Sequence, residues 1–149
     1  MTNLQAAIAL AQVERIDELV ARRRANGARY AQALDGIDGL TLAPQFEGGV
    51  CWMFSLLVDA QRFGIDRDQL RRHLAARGVE TRTLFVPMHL QPIYQQRFAG
   101  QRYPVAERLG ATGLYLPCGP SLSDEDIAYV ADAVRSAARP SLAGSPSSA

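Results

Sequence analysis

The sequence contains no lysine, and all 16 of its basic residues are arginine. No side chain of this chain can therefore form a Schiff base with a carbonyl cofactor or substrate, because that imine needs a primary amine. There are only two cysteines, Cys51 and Cys118, and neither lies at metal-binding spacing from another cysteine or a histidine. This pattern predicts two buried free thiols in a reducing compartment, and no metal site.

The sequence also lacks an excess of one charge and any long apolar run. The formal net charge is +1, so no long-range field attracts nucleic acid or an anionic membrane. The arginine run at 22–24 follows several acidic residues, which is typical of a solvated helix face. The N-terminus has no signal-peptide pattern, and no apolar run approaches membrane-spanning length. We therefore expect a cytoplasmic protein that binds neither nucleic acid nor membranes.

The pattern of apolar residues predicts an α+β fold in which helices cover a small sheet. A helix of about 30 residues is predicted to begin after Thr2 and to end by Gly36. The later elements are strands at 40–44, 50–58, 79–85 and 113–117, helices after Asp66, Pro104 and Ser123, and a short helix at 93–98. Trp52 and Phe54 are expected in the core. The small, polar segment 139–149 predicts a disordered tail, which leaves one domain over residues 1–138.

Three stretches of the sequence agree in order and spacing with a known family. They are MTNLQAAIALAQVERIDELVARRRANGARYAQAL, GVETRTLFVPMHLQPIY and YPVAERLGATGLYLPCGPSLSDEDI. Together they resemble the sugar-nucleotide aminotransferases of the DegT/DnrJ/StrS type over residues 1–137. The middle stretch is most similar to the perosamine-synthase branch, which acts on a nucleotide-linked 4-keto-6-deoxyhexose.

The resemblance implies a fold, a cofactor and partners. The fold is the small C-terminal domain of the aspartate-aminotransferase fold (pyridoxal-phosphate fold type I), with a long N-terminal helix and a mainly antiparallel sheet covered by helices. Enzymes of this family use pyridoxal phosphate, take the amino group from glutamate and work as homodimers with active sites at the subunit interface. Their larger N-terminal domain holds the cofactor and the Schiff-base lysine.

The absence of lysine decides what this chain is expected to do alone. In the family one lysine forms the imine and also moves the proton. We therefore expect a C-terminal portion that binds no cofactor by itself and has no transaminase activity. The alternative is a non-catalytic module that dimerises or binds a sugar nucleotide. The first hypothesis predicts exposed apolar surface around Leu4 and Ile8, and the second predicts that this surface forms a dimer interface.

The candidate substrate-binding residues are His89, Arg82 and Phe85, all in the middle stretch. By resemblance, His89 lies on a loop that faces the active site, where its imidazole can bond a hydroxyl or a diphosphate oxygen; the alternative is a histidine satisfied by turn backbone groups. Arg82 offers a planar fork to a carboxylate or phosphate, or it is an exposed strand arginine. Phe85, like Tyr94, can instead be a packing residue that shapes the loop. Asn3 is assigned to the first turn of the capped helix, and we assign no catalytic, cofactor or metal ligand residue.

Overall fold

The computed structural model describes residues 1–44, 46 and 48–138, so the predicted tail at 139–149 lies outside the described residues. The elements follow in the order α1 (Asn3–Val13), α2 (Ile16–Leu34), β1 (Leu40–Leu42), β2 (Phe54–Val58), α3 (Ala60–Phe63), α4 (Arg67–Ala75), β3 (Arg82–Thr83), a 3-10 turn (Met88–Leu90), α5 (Pro104–Thr112), β4 (Gly113–Leu116) and α6 (Asp124–Arg135). The predicted α+β class and the order of its major elements are confirmed.

The predicted long first helix is two helices. The capping box at its start is confirmed, because the Thr2 hydroxyl accepts from the Gln5 N–H and the Gln5 side chain accepts from the Thr2 N–H. The helix breaks at Arg15, whose φ of −112° and ψ of 9° leave the helical region. The Arg15 N–H bonds to the Gln12 carbonyl, three residues back, where a continuing helix would use the fourth. The expectation of one continuous helix is therefore wrong.

The four strands form one antiparallel sheet in the order β1-β2-β4-β3. In its centre Phe54 pairs with Leu116 and Leu56 pairs with Leu114. Strand β2 begins at Phe54, four residues later than predicted, and its side chains alternate between buried and half-buried. One face of this strand therefore carries most of its contribution to the core.

The core lies between the sheet and three helices. Helix α6 packs against α2 and α4, and all three supply fully buried side chains: Tyr30 and Leu34 from α2, Leu70 and Leu74 from α4, and Ile127 and Val134 from α6. The Tyr30 ring lies 4.9 Å from that of Phe54, and its hydroxyl donates to the Pro117 carbonyl oxygen at 2.8 Å. This bond gives the buried hydroxyl a partner and ties α2 to the end of β4.

Two further expectations need correction, and the structure adds one helix. Residues 93–98 form turns and not a helix, and the short helical segment is the 3-10 turn at Met88–Leu90. The side chain of Trp52 is 68% exposed and not in the core, whereas Phe54 is buried as expected. Helix α3 is an addition, capped by the Asp59 carboxylate, which accepts from the Gln61 and Arg62 N–H groups. By contrast, the predicted starts of α4, α5 and α6 are confirmed.

Helix α1 buries none of its side chains, and Leu4 and Ile8 are 72% and 59% exposed. The apolar surface expected around these two residues is therefore present. Among the described residues, no helix combines the length and the hydrophobicity needed to span a bilayer.

Candidate functional site

The loop that follows β3 is fixed at its centre by a buried polar cluster. His89 is buried, and its Nε2 lies 3.2 Å from Glu107 Oε1 on α5. Because an ionised carboxylate carries no proton, Nε2 must be the donor in this bond. The Tyr103 ring packs at 4.7 Å from the imidazole, centroid to centroid. The cluster therefore sets both the tautomer and the orientation of His89.

Glu107 is the acceptor on which this cluster depends. Its two oxygens accept from Arg102 Nε and Nη2 at 2.8–3.1 Å, and Oε1 also accepts from the Tyr103 N–H at 2.9 Å. These bonds, with that of Arg102 as the largest cause, lower the pKa of Glu107 to about 2. Glu107 is thus ionised at neutral pH and joins the 84–103 loop to the first turn of α5.

The other ring nitrogen of His89 has a different environment. Nδ1 makes no hydrogen bond to any described residue, although His89 as a whole is buried. With Nε2 protonated, a neutral imidazole presents Nδ1 as an acceptor. His89 therefore offers one hydrogen-bond acceptor of fixed direction to a group outside the cluster.

Arg82 and Phe85 lie on two neighbouring surface cavities. Arg82 lines a cavity of about 320 Å³ together with Arg23, Glu80 and Tyr115, which we call the Arg82 cavity. The guanidinium of Arg82 makes no hydrogen bond or ion pair with a described residue. Phe85, which is 80% exposed, lines a second cavity of about 390 Å³, the Phe85 cavity. His89 lines neither of the two.

Tyr115 separates the two cavities and brings their key residues into one neighbourhood. It pairs with Arg82 across β3 and β4, and its ring centroid lies 6.2 Å from that of Phe85 in an edge-on arrangement. Trp52 and Met53 also line both cavities. The structure therefore brings Arg82 and Phe85 together around Tyr115, whereas His89 is buried within the 84–103 loop and lines neither cavity.

Several residues of this site carried no role in the sequence-based prediction. Glu107 and Tyr103 lie inside the YPVAE stretch. The sequence feature that could have indicated Glu107 was an acidic residue three positions after the proline that begins the helix. Tyr115 was assigned only to a strand, and its position between the cavities follows from pairing with β3. Trp52 was assigned to the core, and no local pattern distinguishes a buried tryptophan from one beside a cavity.

The two cysteines are both free, as expected, but they are not equally buried. Cys118 is buried, whereas Cys51 is half-buried and lines the Phe85 cavity. The Cys118 thiol donates to the carbonyl oxygen of Trp52, the residue after Cys51, at 2.8 Å, so the fold brings together two cysteines that lie far apart in the sequence.

Comparison with known proteins places this geometry in a family. Residues 1–135 match the DegT/DnrJ/EryC1/StrS aminotransferase family. The chain is 36% identical to GDP-perosamine synthase of Escherichia coli O157:H7 over 134 residues, which are 90% of this chain and 35% of that protein. It is 34% identical to the spore coat polysaccharide biosynthesis protein SpsC of Bacillus subtilis over 140 residues, 91% of this chain and 36% of that protein.

A solved structure agrees with these relatives. The crystal structure of DesV from S. venezuelae in complex with a ketimine intermediate is similar with a TM-score of 0.78 and 34% identity, over 91% of this chain and 36% of that one. Fold and sequence thus point to the same class of protein, the aminotransferases. The chain belongs to the DegT/DnrJ/EryC1/StrS aminotransferase family. It spans about a third of the length of the curated relatives it matches.

The residues present do not fit the covalent attachment of the family's cofactor. Pyridoxal phosphate is held in such enzymes as an imine to a lysine, and this sequence has none. No step of a reaction is therefore assigned to a cofactor on these residues. At this site the described residues supply the Arg82 cavity, the Phe85 cavity, the Arg82 guanidinium without a protein partner, and the oriented His89.

Proposed function

We propose that this chain is the C-terminal small domain of a nucleotide-sugar aminotransferase and forms one wall of its substrate site. In this proposal the complete enzyme carries an amino group from glutamate to a nucleotide-linked 4-keto-6-deoxy sugar. The cofactor and the Schiff-base lysine come from another part of the enzyme or from a partner chain, and the working form is a homodimer.

The observation that supports this role most is the guanidinium of Arg82, which faces a cavity and has no partner among the described residues. A guanidinium presents several donors in a rigid fork that matches phosphate and carboxylate oxygens. We assign Arg82 to the diphosphate of the sugar nucleotide, with the carboxylate of the amino donor as the other anion it fits. Arg23 lines the same cavity and adds a second positive charge.

Phe85 and His89 complete the proposed wall. The exposed ring of Phe85, with Tyr115 beside it, offers an apolar face to the base or to the sugar ring. His89 offers Nδ1 to a sugar hydroxyl, and Glu107 keeps that nitrogen unprotonated in the neutral ring by holding the proton on Nε2. These residues bind and orient the substrate, and none of them is assigned a catalytic step.

A binding experiment tests the role of Arg82. A GDP-linked 4-amino-6-deoxyhexose is titrated into the purified chain in a calorimeter, with the dTDP-linked compound in a parallel run. We expect Arg82→Gln to weaken binding by a factor of about 10 to 100, as for the loss of a charge-assisted bond. Arg72→Gln, on the exposed side of α4, is the matched control and should bind like the wild type. Equal affinities for the two variants, or no saturable binding by the wild type, would contradict the proposal.

A turnover experiment tests the missing amine. The chain is incubated with pyridoxal phosphate, glutamate and a nucleotide-linked 4-keto-6-deoxy sugar, beside a family enzyme that contains the lysine. We expect amino-sugar product from that enzyme and none from this chain. Product formed by the chain alone would contradict the assignment of the Schiff-base lysine to another part of the enzyme.

The exposed apolar face of α1 favours a second candidate, a non-catalytic module that dimerises. A helix whose Leu4, Ile8 and Val13 are all more than half exposed is a usual component of an interface. Sedimentation velocity tests it: the module should be a dimer that Ile8→Glu dissociates and that Gln12→Glu leaves intact. A wild-type monomer at all concentrations would reject this candidate.

A further inference from the structure

The two cysteines meet at one end of the sheet, beyond the last pair of β2 and β4. That pair is Phe54 with Leu116, so Cys51 precedes one strand and Cys118 follows the other at the same edge. The Cys118 thiol donates to the carbonyl oxygen of Trp52, the residue that follows Cys51, at 2.8 Å. The fold thus brings close together two thiols that lie far apart in the sequence.

The surroundings of the two sulfurs differ. The Phe54 N–H donates to Cys118 Sγ at 3.4 Å, and the guanidinium of Arg23 lies against this corner, bonded to the Trp52 and Cys118 carbonyl oxygens. When Cys118 is protonated, its S–H donates to the Trp52 carbonyl oxygen at 2.8 Å. The interaction with the Cys51 side chain, helped by the Phe54 N–H and the charge of Arg23, outweighs burial and lowers the pKa of Cys118. The same interaction, together with burial, raises the pKa of Cys51.

Both sulfur-bearing residues line cavities that open to solvent. Cys118 lines the Arg82 cavity and Cys51 lines the Phe85 cavity. The charged groups that line the Arg82 cavity with Cys118 are Arg23, Glu80 and Arg82, and buried Tyr30 stays neutral because burial raises its pKa. A small neutral oxidant therefore has a route to either sulfur.

We propose that Cys51 and Cys118 are a reversible thiol–disulfide pair, which a hydroperoxide oxidises and a small-molecule thiol reduces. The Cys118 thiolate attacks one peroxide oxygen, the O–O bond breaks, and hydroxide leaves as Cys118 becomes a sulfenic acid. The Cys51 sulfur then attacks the sulfenic sulfur, loses its proton and releases the second oxygen as water. In total, two thiols and one hydrogen peroxide give one disulfide and two waters. A free thiol such as dithiothreitol reverses the reaction through a mixed disulfide.

The test treats the reduced chain with a small excess of hydrogen peroxide and measures its intact mass without a reductant. We expect a product two hydrogen atoms lighter than the reduced chain, with Cys51 and Cys118 peptides joined in the digest, and return to the starting mass with dithiothreitol. Trp52, the only tryptophan, lies next to Cys51 and reports the reaction by a reversible change in fluorescence. The rate should rise with pH as Cys118 ionises, with a midpoint below that of an ordinary thiol.

Single-cysteine variants separate the roles of the two sulfurs. Cys51→Ser keeps the attacking thiol but cannot close the disulfide, so its product should gain oxygen atoms in place of losing hydrogens. Cys118→Ser should react at about a tenth of the wild-type rate or below, since the remaining thiol stays protonated at neutral pH. If a serine variant does not fold, Cys51→Thr, whose hydroxyl can still donate to Cys118, and Cys118→Ala repeat the two tests. Oxygen addition in the wild type, a disulfide between two chains, or equal oxidation rates in both single variants would overturn the proposal.

Discussion

Helices α1 and α6 look alike in sequence and differ in what they bury. Both begin with a complete capping box, and they have 11 and 12 residues with apolar side chains at helical spacing. Helix α6 buries five side chains, whereas α1 buries none. The cap and the periodicity specify that a helix forms, but the stability it adds comes from the partner it packs on. Helix α6 packs on α2 and α4, whereas α1 extends beyond the break at Arg15.

The largest contrast between the two helices is expected from the loss of one isoleucine side chain. Ile127→Ala removes a side chain that is only 1% exposed and leaves a cavity between α6 and its neighbours, so the free energy of unfolding should fall by about 2–5 kcal/mol. Ile8→Ala removes the same atoms from the solvent-exposed helix α1 and should change the free energy of unfolding by less than about 0.5 kcal/mol. Urea unfolding measures both, and equal losses would show that α1 is buried in solution.

A smaller contrast is expected from the two capping residues. Ser123→Ala leaves the Asp126 N–H without its acceptor and should cost about 1 kcal/mol of the free energy of unfolding. Thr2→Ala removes the matching bond from the Gln5 N–H and should leave the global transition unchanged, because α1 can unfold without exposing the core. A global loss for Thr2→Ala as large as that for Ser123→Ala would contradict the independence of α1.

The smallest effect on stability is expected for the 84–103 loop. This loop is attached by polar hydrogen bonds, whereas α6 is attached by apolar packing. Folding lowers the pKa of Glu107 to about 2 from an ordinary value of 4.5, so its contribution is fully present above about pH 5 and is lost as the pH falls toward 2. Glu107→Gln should therefore reduce stability at pH 7 and flatten its dependence on pH across that window. Thermal unfolding at several pH values measures this, with Glu80→Gln as the exposed control. An unchanged acid profile in Glu107→Gln would contradict the assignment.

The features that the sequence predicted well are those that depend on neighbours within one turn. The starts of α4 and α6 follow from Asp66 and Ser123, whose side chains bond N–H groups three residues ahead. The break at Arg15 could not be predicted, because no proline or glycine marks it. The exposure of Trp52 could not be predicted from the local pattern either, since it depends on where β2 begins and on the cavity that Tyr115 and Phe85 line.

The candidate site was predicted only in part, because its contacts join residues that are distant in the sequence. The resemblance directed attention to Arg82, Phe85 and His89. The structure places the first two around Tyr115 and buries His89 within the 84–103 loop, bonded to Glu107. The bond from His89 to Glu107 joins residues 18 apart, and the contact between the cysteines joins residues 67 apart in the numbering. Such pairs depend on the path of the chain between them, which periodicity does not describe.

The break between α1 and α2 has a consequence for protease sensitivity. Arg15 is the first basic residue of the chain, its side chain is 60% exposed, and it stands where the helical hydrogen bonds are interrupted. Trypsin cleaves after arginine and needs a locally unfolded backbone, so Arg15 is a suitable first cut in this part of the chain. A single cleavage there would release Met1–Arg15 and leave every buried core residue in one piece. Limited digestion is thus a direct way to prepare the packed part of the molecule without α1.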